Sequence, residues 1–201
     1  MAPTRKRTKV CVPFDPATPE PCAPKRVRRE SNAFWRFSLT VYRLPGVEAA
    51  LLALQDRCGT DTNLLLYCCW LASVGRSPDR RSLRRAMAAV ARWQAEAIQP
   101  MRRARRTVKA TGAELPPGWA ADLRQRLGRL ELDLEYLEQH TLFALAQQLP
   151  PSHRTLASRA AAQASITRYL GLLGLAPEAA VRAELTCLLD ACRLQPGLQR
   201  R

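Results

Sequence analysis

A chain of 201 residues with 47% apolar side chains suits one domain and can bury a core without disulfide or metal staples. Its 32 Lys and Arg against 17 Asp and Glu give a formal charge of +15. Such a charge attracts polyanions over about 8 Å in physiological salt, without choosing among nucleic acid, anionic lipid and an acidic protein. The seven cysteines have no repeated spacing and no C-x-x-C, which excludes a disulfide framework and points to buried thiols in a reducing, cytosolic compartment.

Residues 1–30 hold six prolines and eight basic residues, too little apolar surface to offset chain entropy, so a disordered tail is expected. Its basic runs, Arg5-Lys6-Arg7 and Lys25 to Arg29, suit a solvated tail or a nuclear-localisation-like or nucleic-acid-binding arm. No apolar h-region is present for a secretory leader. Residues 31–201 form the expected helical domain.

Ser31-Asn32 can cap a first helix carrying Phe34, Trp35, Leu39 and Tyr42, and Pro45 ends it. A second helix buries Val47, Leu51 and Leu54 and stops at Gly59. Thr60 and Asp61 offer N-caps to a third, through Val74, which is apolar all round over Leu64 to Ala72 and therefore belongs inside. That run is nine residues long, well short of the roughly 20 a membrane span needs. Ser77-Pro78-Asp79 should open a fourth helix with Ser77 as N-cap and Pro78 at N1, placing Leu83, Met87, Val90 and Ala97 on one face. Pro100 should kink or break it.

A fifth, basic segment runs to about Ala110 and closes at Gly112 and Pro116-Pro117. From Trp119, the leucines 123, 127, 130, 134 and 137 follow 4-3-4-3 spacing. A helix continuing to Leu149 would be about 46 Å long and could form the spine of a bundle. Two more helices, Ser152 to Leu173 and Pro177 to Arg193, complete an all-α single bundle of about seven or eight helices; no period-two alternation suggests a sheet.

Phe34-Trp35-x-Phe37-Ser38-Leu39, Tyr42, Pro45-Gly46-Val47, Leu54-Gln55-Asp56, Asp61-x-Asn63-Leu64-Leu65-Leu66 and Trp70 resemble the N-terminal signature of a proteobacterial family of small conserved hypothetical proteins of unknown function. A looser likeness continues through Trp93, Pro100, Arg102, Arg105 or Arg106, and Lys109. The resemblance implies a bacterial, cytosolic, helical protein and supplies no reaction. The tail and the Arg- and Ala-rich second half depart from the compact family pattern.

Two constellations are candidate binding sites. Arg102, Arg105, Arg106 and Lys109, at i, i+3, i+4 and i+7, form one basic helix stripe that could track phosphates. Alternatively the stripe pairs with Glu131, Glu135 and Glu138 of the following helix, at i, i+4 and i+7. Asp56, Asp61 and Asn63 cluster around the Gly59 turn, where helix capping is the default for Asp61 and an acid–base pair or a partner for Arg102 or Arg105 is the alternative. His140 and His153 lack a Glu or Cys at i+3 or i+4, so no metal site is expected. Trp35, Trp70 and Trp93 suit a core better than a pocket. No catalytic residue or cofactor is assigned. The readings are a non-enzymatic interaction or regulatory module whose basic face meets an acidic protein or nucleic acid, and an enzyme or small-ligand binder using Asp56, Asp61 and Asn63 with an arginine from 102–106. A deep pocket holding those carboxylates beside a Trp would favour the second.

Overall fold

A computed structural model describes residues 32–150, 158–176 and 181–193. The tail expected over residues 1–30 lies outside them, as do the expected starts of the last two helices. The described residues form eight α-helices: α1 Ala33–Tyr42, α2 Val47–Cys58, α3 Thr62–Ser73, α4 Arg80–Trp93, α5 Gln99–Ala110, α6 Trp119–Ala146, α7 Ser158–Leu172 and α8 Arg182–Arg193. Among the described residues no strand occurs and no single helix is long and apolar enough to cross a membrane.

Local chemistry sets the boundaries. Asn32 accepts from the Trp35 N–H at 2.7 Å and starts α1. Gly46 and Gly59 sit at φ 81° and 62° at the two ends of α2, a backbone region open to glycine. Asp61 caps α3, accepting from the N–H groups of Asn63 and Leu64. The fourth helix departs from expectation at its start: Asp79, not Ser77, is the cap, accepting from Ser82 N–H at 2.7 Å, so Pro78 precedes the helix instead of opening it. At its far end Pro100 does not break the path. A π-helical turn, Gln94–Ile98, joins α4 to α5 and includes Glu96, the residue whose carbonyl a proline at 100 would crowd in a regular helix.

The core is built around α3, which lies mainly against α7 and also touches α1, α2, α6 and α8. All its residues from Asn63 to Ser73 are buried. Trp70 stacks on Phe34 at 5.1 Å and meets Phe143 at 5.5 Å, aromatic packing that adds to the burial of apolar area.

The long helix buries its leucine stripe unevenly. Leu130 and Leu137 are half-exposed, at 50% and 49%, whereas Glu131, Glu138 and Gln139 are buried beside Leu142 and Ala146. Leu123, Leu127 and Leu134 are half-buried, so the leucine spacing marks the spine's inner face only in part. Polar groups on α3, α5 and the π turn face α6, and their hydrogen bonds select its carboxylate stripe for the inside. The helix also stops at Ala146, short of the expected Leu149.

Candidate functional site

The basic stripe of α5 and the acidic stripe of α6 meet. Arg102 donates through Nε to Glu131 at 3.1 Å and through Nη2 to Glu135 at 2.5 Å, and through Nη1 to Gln55 Oε1 at 2.5 Å. Arg105 Nε reaches the other oxygen of Glu131 at 2.6 Å. With Arg102 only 11% exposed and Glu131 10%, the Arg102 pairs are fixed, charge-assisted contacts, while Arg105, 47% exposed, is held from the solvent side. Burial pushes the Glu135 carboxyl up, and Arg102 beside it opposes the rise.

Glu138 does not join the arginines. Asn63 Nδ2 donates to its Oε2 at 2.7 Å, and Gln94 Nε2, from the π turn, reaches both its oxygens at 2.9 and 2.8 Å. Its remaining neighbour is the Asp61 carboxyl. Burial, then the nearby Asp61 charge and the hydrogen bond to it, push Glu138 up to about 9; burial also raises Asp61. The two carboxyls share a proton, Glu138 donating to Asp61, so that only one is ionised. Tyr169, on α7, accepts from the Asp61 N–H at 2.9 Å and ties the turn to the core.

A cleft of about 630 Å³ opens beside this network, between α1, α2, α3, α5 and α6. Its walls include Leu39, Leu52, Leu66 and Leu132, with Trp35 and Tyr42. Trp35 meets Tyr136 edge to face at 5.4 Å. Burial and the Glu48 carboxylate push the Tyr42 hydroxyl up to about 12, so it is a neutral phenol at physiological pH.

Two buried residues of the lining have polar atoms without partners among the described residues. Ser38 and Gln139 are each 3% exposed, both line the cleft, and Ser38 Oγ and Gln139 Oε1 make no hydrogen bond. The orientation of Gln139 follows from the network: Asn63 spends its Nδ2 on Glu138, leaving Oδ1 to accept from Gln139 Nε2 at 2.7 Å. The Gln139 carbonyl oxygen is thereby left without a donor.

Of the residues singled out in the sequence, Asp56, Asn63, Arg102, Arg105, Arg106 and Lys109 all line this cleft. Asp61 lies behind it as helix cap and proton-sharing partner. Arg106 and Lys109 are exposed and carry no ion pair among the described residues. Trp35 borders the cleft, Trp70 lies in the core, and the half-buried Trp93 donates from its indole to the Leu134 carbonyl at 3.0 Å. Gln94 and Gln139 were not singled out, and Ser38 entered only as part of the family signature, not as a site residue. Gln139 extends the Glu131, Glu135, Glu138 register by one and was legible as part of a polar stripe; Ser38 and Gln94 carry no such signal. No His, Cys, Asp and Glu group among the described residues is arranged to hold a metal ion.

The shared proton has a consequence for stability. A carboxyl raised from its ordinary range to about 9 in the folded state contributes stability that is complete at low pH and is lost as pH rises toward that value. One extra proton held by the folded state corresponds to about 1.4 kcal/mol per pH unit. Glu138→Gln supplies a permanent neutral donor to Asp61 and keeps an acceptor for Asn63 and Gln94. Thermal melts between pH 5 and 9 should therefore fall steadily for the parent and less steeply for the variant, which overtakes it on the alkaline side. Parallel curves would contradict the shared proton.

No curated protein and no solved structure matches the chain. A family model does match, over residues 33–142, a stretch running from α1 into α6 that contains every residue lining the cleft. The chain belongs to the family described as a protein of unknown function, DUF2390.

Proposed function

We propose that this is a small-ligand-binding protein whose site is the cleft between α1, α2, α3, α5 and α6. The observation that carries the reading is the pair of buried, unpartnered polar atoms in the cleft lining, Ser38 Oγ and Gln139 Oε1. Leaving a buried polar atom without a partner costs about 1 to 3 kcal/mol, an expense that a ligand bonded to it would offset. A volume near 630 Å³ falls in the range of small-molecule sites, and the lining sets four leucines and two aromatic rings among charged side chains of α2, α5 and α6. The alternative, a phosphate-tracking helix face, is weakened by the commitment of Arg102 and Arg105 to glutamates, which leaves only Arg106 and Lys109 of the four for a polyanion. We place the protein in a reducing, cytosolic compartment on the strength of its free thiols, Cys58, Cys68, Cys69, Cys187 and Cys192.

The test is a thermal-shift screen of a metabolite library against the parent and Ser38→Leu, whose larger side chain occupies the cleft. Ligands should raise the parent's midpoint and leave the variant's unchanged; an equal response, or no ligand at all, would overturn the reading. A second expectation concerns the free protein. Ser38→Ala removes an unpartnered hydroxyl, so its ligand-free midpoint should equal or exceed the parent's, by up to roughly 2 to 4 °C for 1 kcal/mol, while ligand affinity falls. That opposition between stability and binding is what a functional site produces. A lower midpoint for Ser38→Ala would make the hydroxyl merely structural.

A further inference from the structure

Resting on that reading, we infer that the ligand is a small organic anion with a hydrogen-bond-donating head, an amino or hydroxy acid, which enters head first and leaves its anionic group at the α5 rim. The inner and outer parts of the cleft make different demands. Inside, Gln139 Oε1 is an acceptor only and requires an N–H or O–H from the ligand, whereas Ser38 Oγ can either accept or donate. Both residues are 3% exposed, so bulk water does not replace a missing donor cheaply.

At the rim the balance reverses. Arg106 and Lys109 stand exposed on α5 without ion pairs among the described residues, and the chain's charge of +15 favours approach of an anion. The lining also holds Glu48 and Asp56 of α2, whose charges repel an anion, and the exposed Arg43, which adds a further cation. Arg102 and Arg105 also line the cleft, but their guanidinium groups are already held by Glu131 and Glu135, which leaves them poor anion traps. Leu39, Leu52, Leu66 and Leu132 offer apolar contact to a methylene or ring body between head and anion. A simple fatty acid would bury a methyl group against Gln139 Oε1, and a simple amine would leave the rim cations unused.

The experiment is isothermal titration of the full chain with four matched series of four to eight carbons: ω-amino carboxylates, ω-hydroxy carboxylates, the fatty acids bearing methyl in place of the head, and the corresponding alkylamines. At least one amino or hydroxy acid should bind at least tenfold more tightly than both its fatty-acid and its alkylamine counterparts. Gln139→Met should remove the advantage of the head, and Arg106→Ala/Lys109→Ala the advantage of the carboxylate. Fatty acids binding as well as the headed acids, or alkylamines binding as well as either, would overturn the inference. If the library screen yields a ligand blocked by Ser38→Leu while no member of these series binds, the ligand class is wrong and the binding site stands. If neither binds, both fail.

Discussion

Trp70→Ala should come close to unfolding the domain, whereas Trp119→Ala should be nearly silent. Trp70 is 5% exposed in the middle of α3 and packs against Phe34, Tyr67 and Phe143, so truncation removes contacts from three other rings and leaves a void. Emptying a core site of an aromatic costs about 3 to 5 kcal/mol, a large part of the 5 to 15 kcal/mol that holds a domain together. Trp119, 67% exposed at the start of α6, has little to lose. Urea denaturation of both variants measures the difference directly, and similar midpoints would mean that α3 is not the centre of the core.

Arg102→Met should be the most damaging change in the charged part of the molecule. It leaves Glu131 and Glu135 without their shared guanidinium and removes the close donor to Gln55 Oε1. Breaking a buried ion pair by taking away one partner costs about 3 to 5 kcal/mol, mainly because a charge remains buried alone. The penalty has a pH signature. Burial already raises the Glu135 carboxyl and Arg102 restrains it, so without the arginine Glu135 protonates more readily and the deficit shrinks as pH falls. Denaturation at pH 7.5 and at pH 4.5 should show a large loss at the first and a smaller one at the second. Arg106→Met, at an exposed position on the same helix, should change stability by no more than about 0.5 kcal/mol at either pH.

The helical order of the fold was readable because its signals are local. Asn32, Gly59 and Asp61 act at helix ends through their own side chains or backbone freedom, and the run Leu64 to Ala72 is apolar on every face, so both caps and core follow from neighbours in sequence. Polarity along α6 was not readable in the same way. Its leucines have the spacing of an inner stripe, yet Leu130 and Leu137 face outward, because the inward face is decided by partners distant in the chain: Asn63, Gln94 and Arg102 each present donors to α6 carboxylates. The ion-pair alternative for the basic stripe was legible as a register match between two helices; that Glu138 would leave it for Asp61 was not, since the Gln94 contact depends on a π turn with no distinct sequence signature. Ser38 stood in the family signature without a role, because one serine in an amphipathic helix is ordinary until its surroundings are known.

The most direct test of the cleft as a ligand site is a nuclear magnetic resonance titration of ¹⁵N-labelled protein with the strongest ligand from the screen, following side-chain amide signals. The Gln139 and Asn63 amides, joined at 2.7 Å, should shift together to a common saturation point as Gln139 Oε1 gains a donor. The Gln148 amide, whose Oε1 accepts from Arg85 at 2.9 Å on an exposed part of the chain, should stay where it is. Saturable shifts confined to exposed side chains, with the Gln139 and Asn63 signals unmoved, would contradict binding in the cleft.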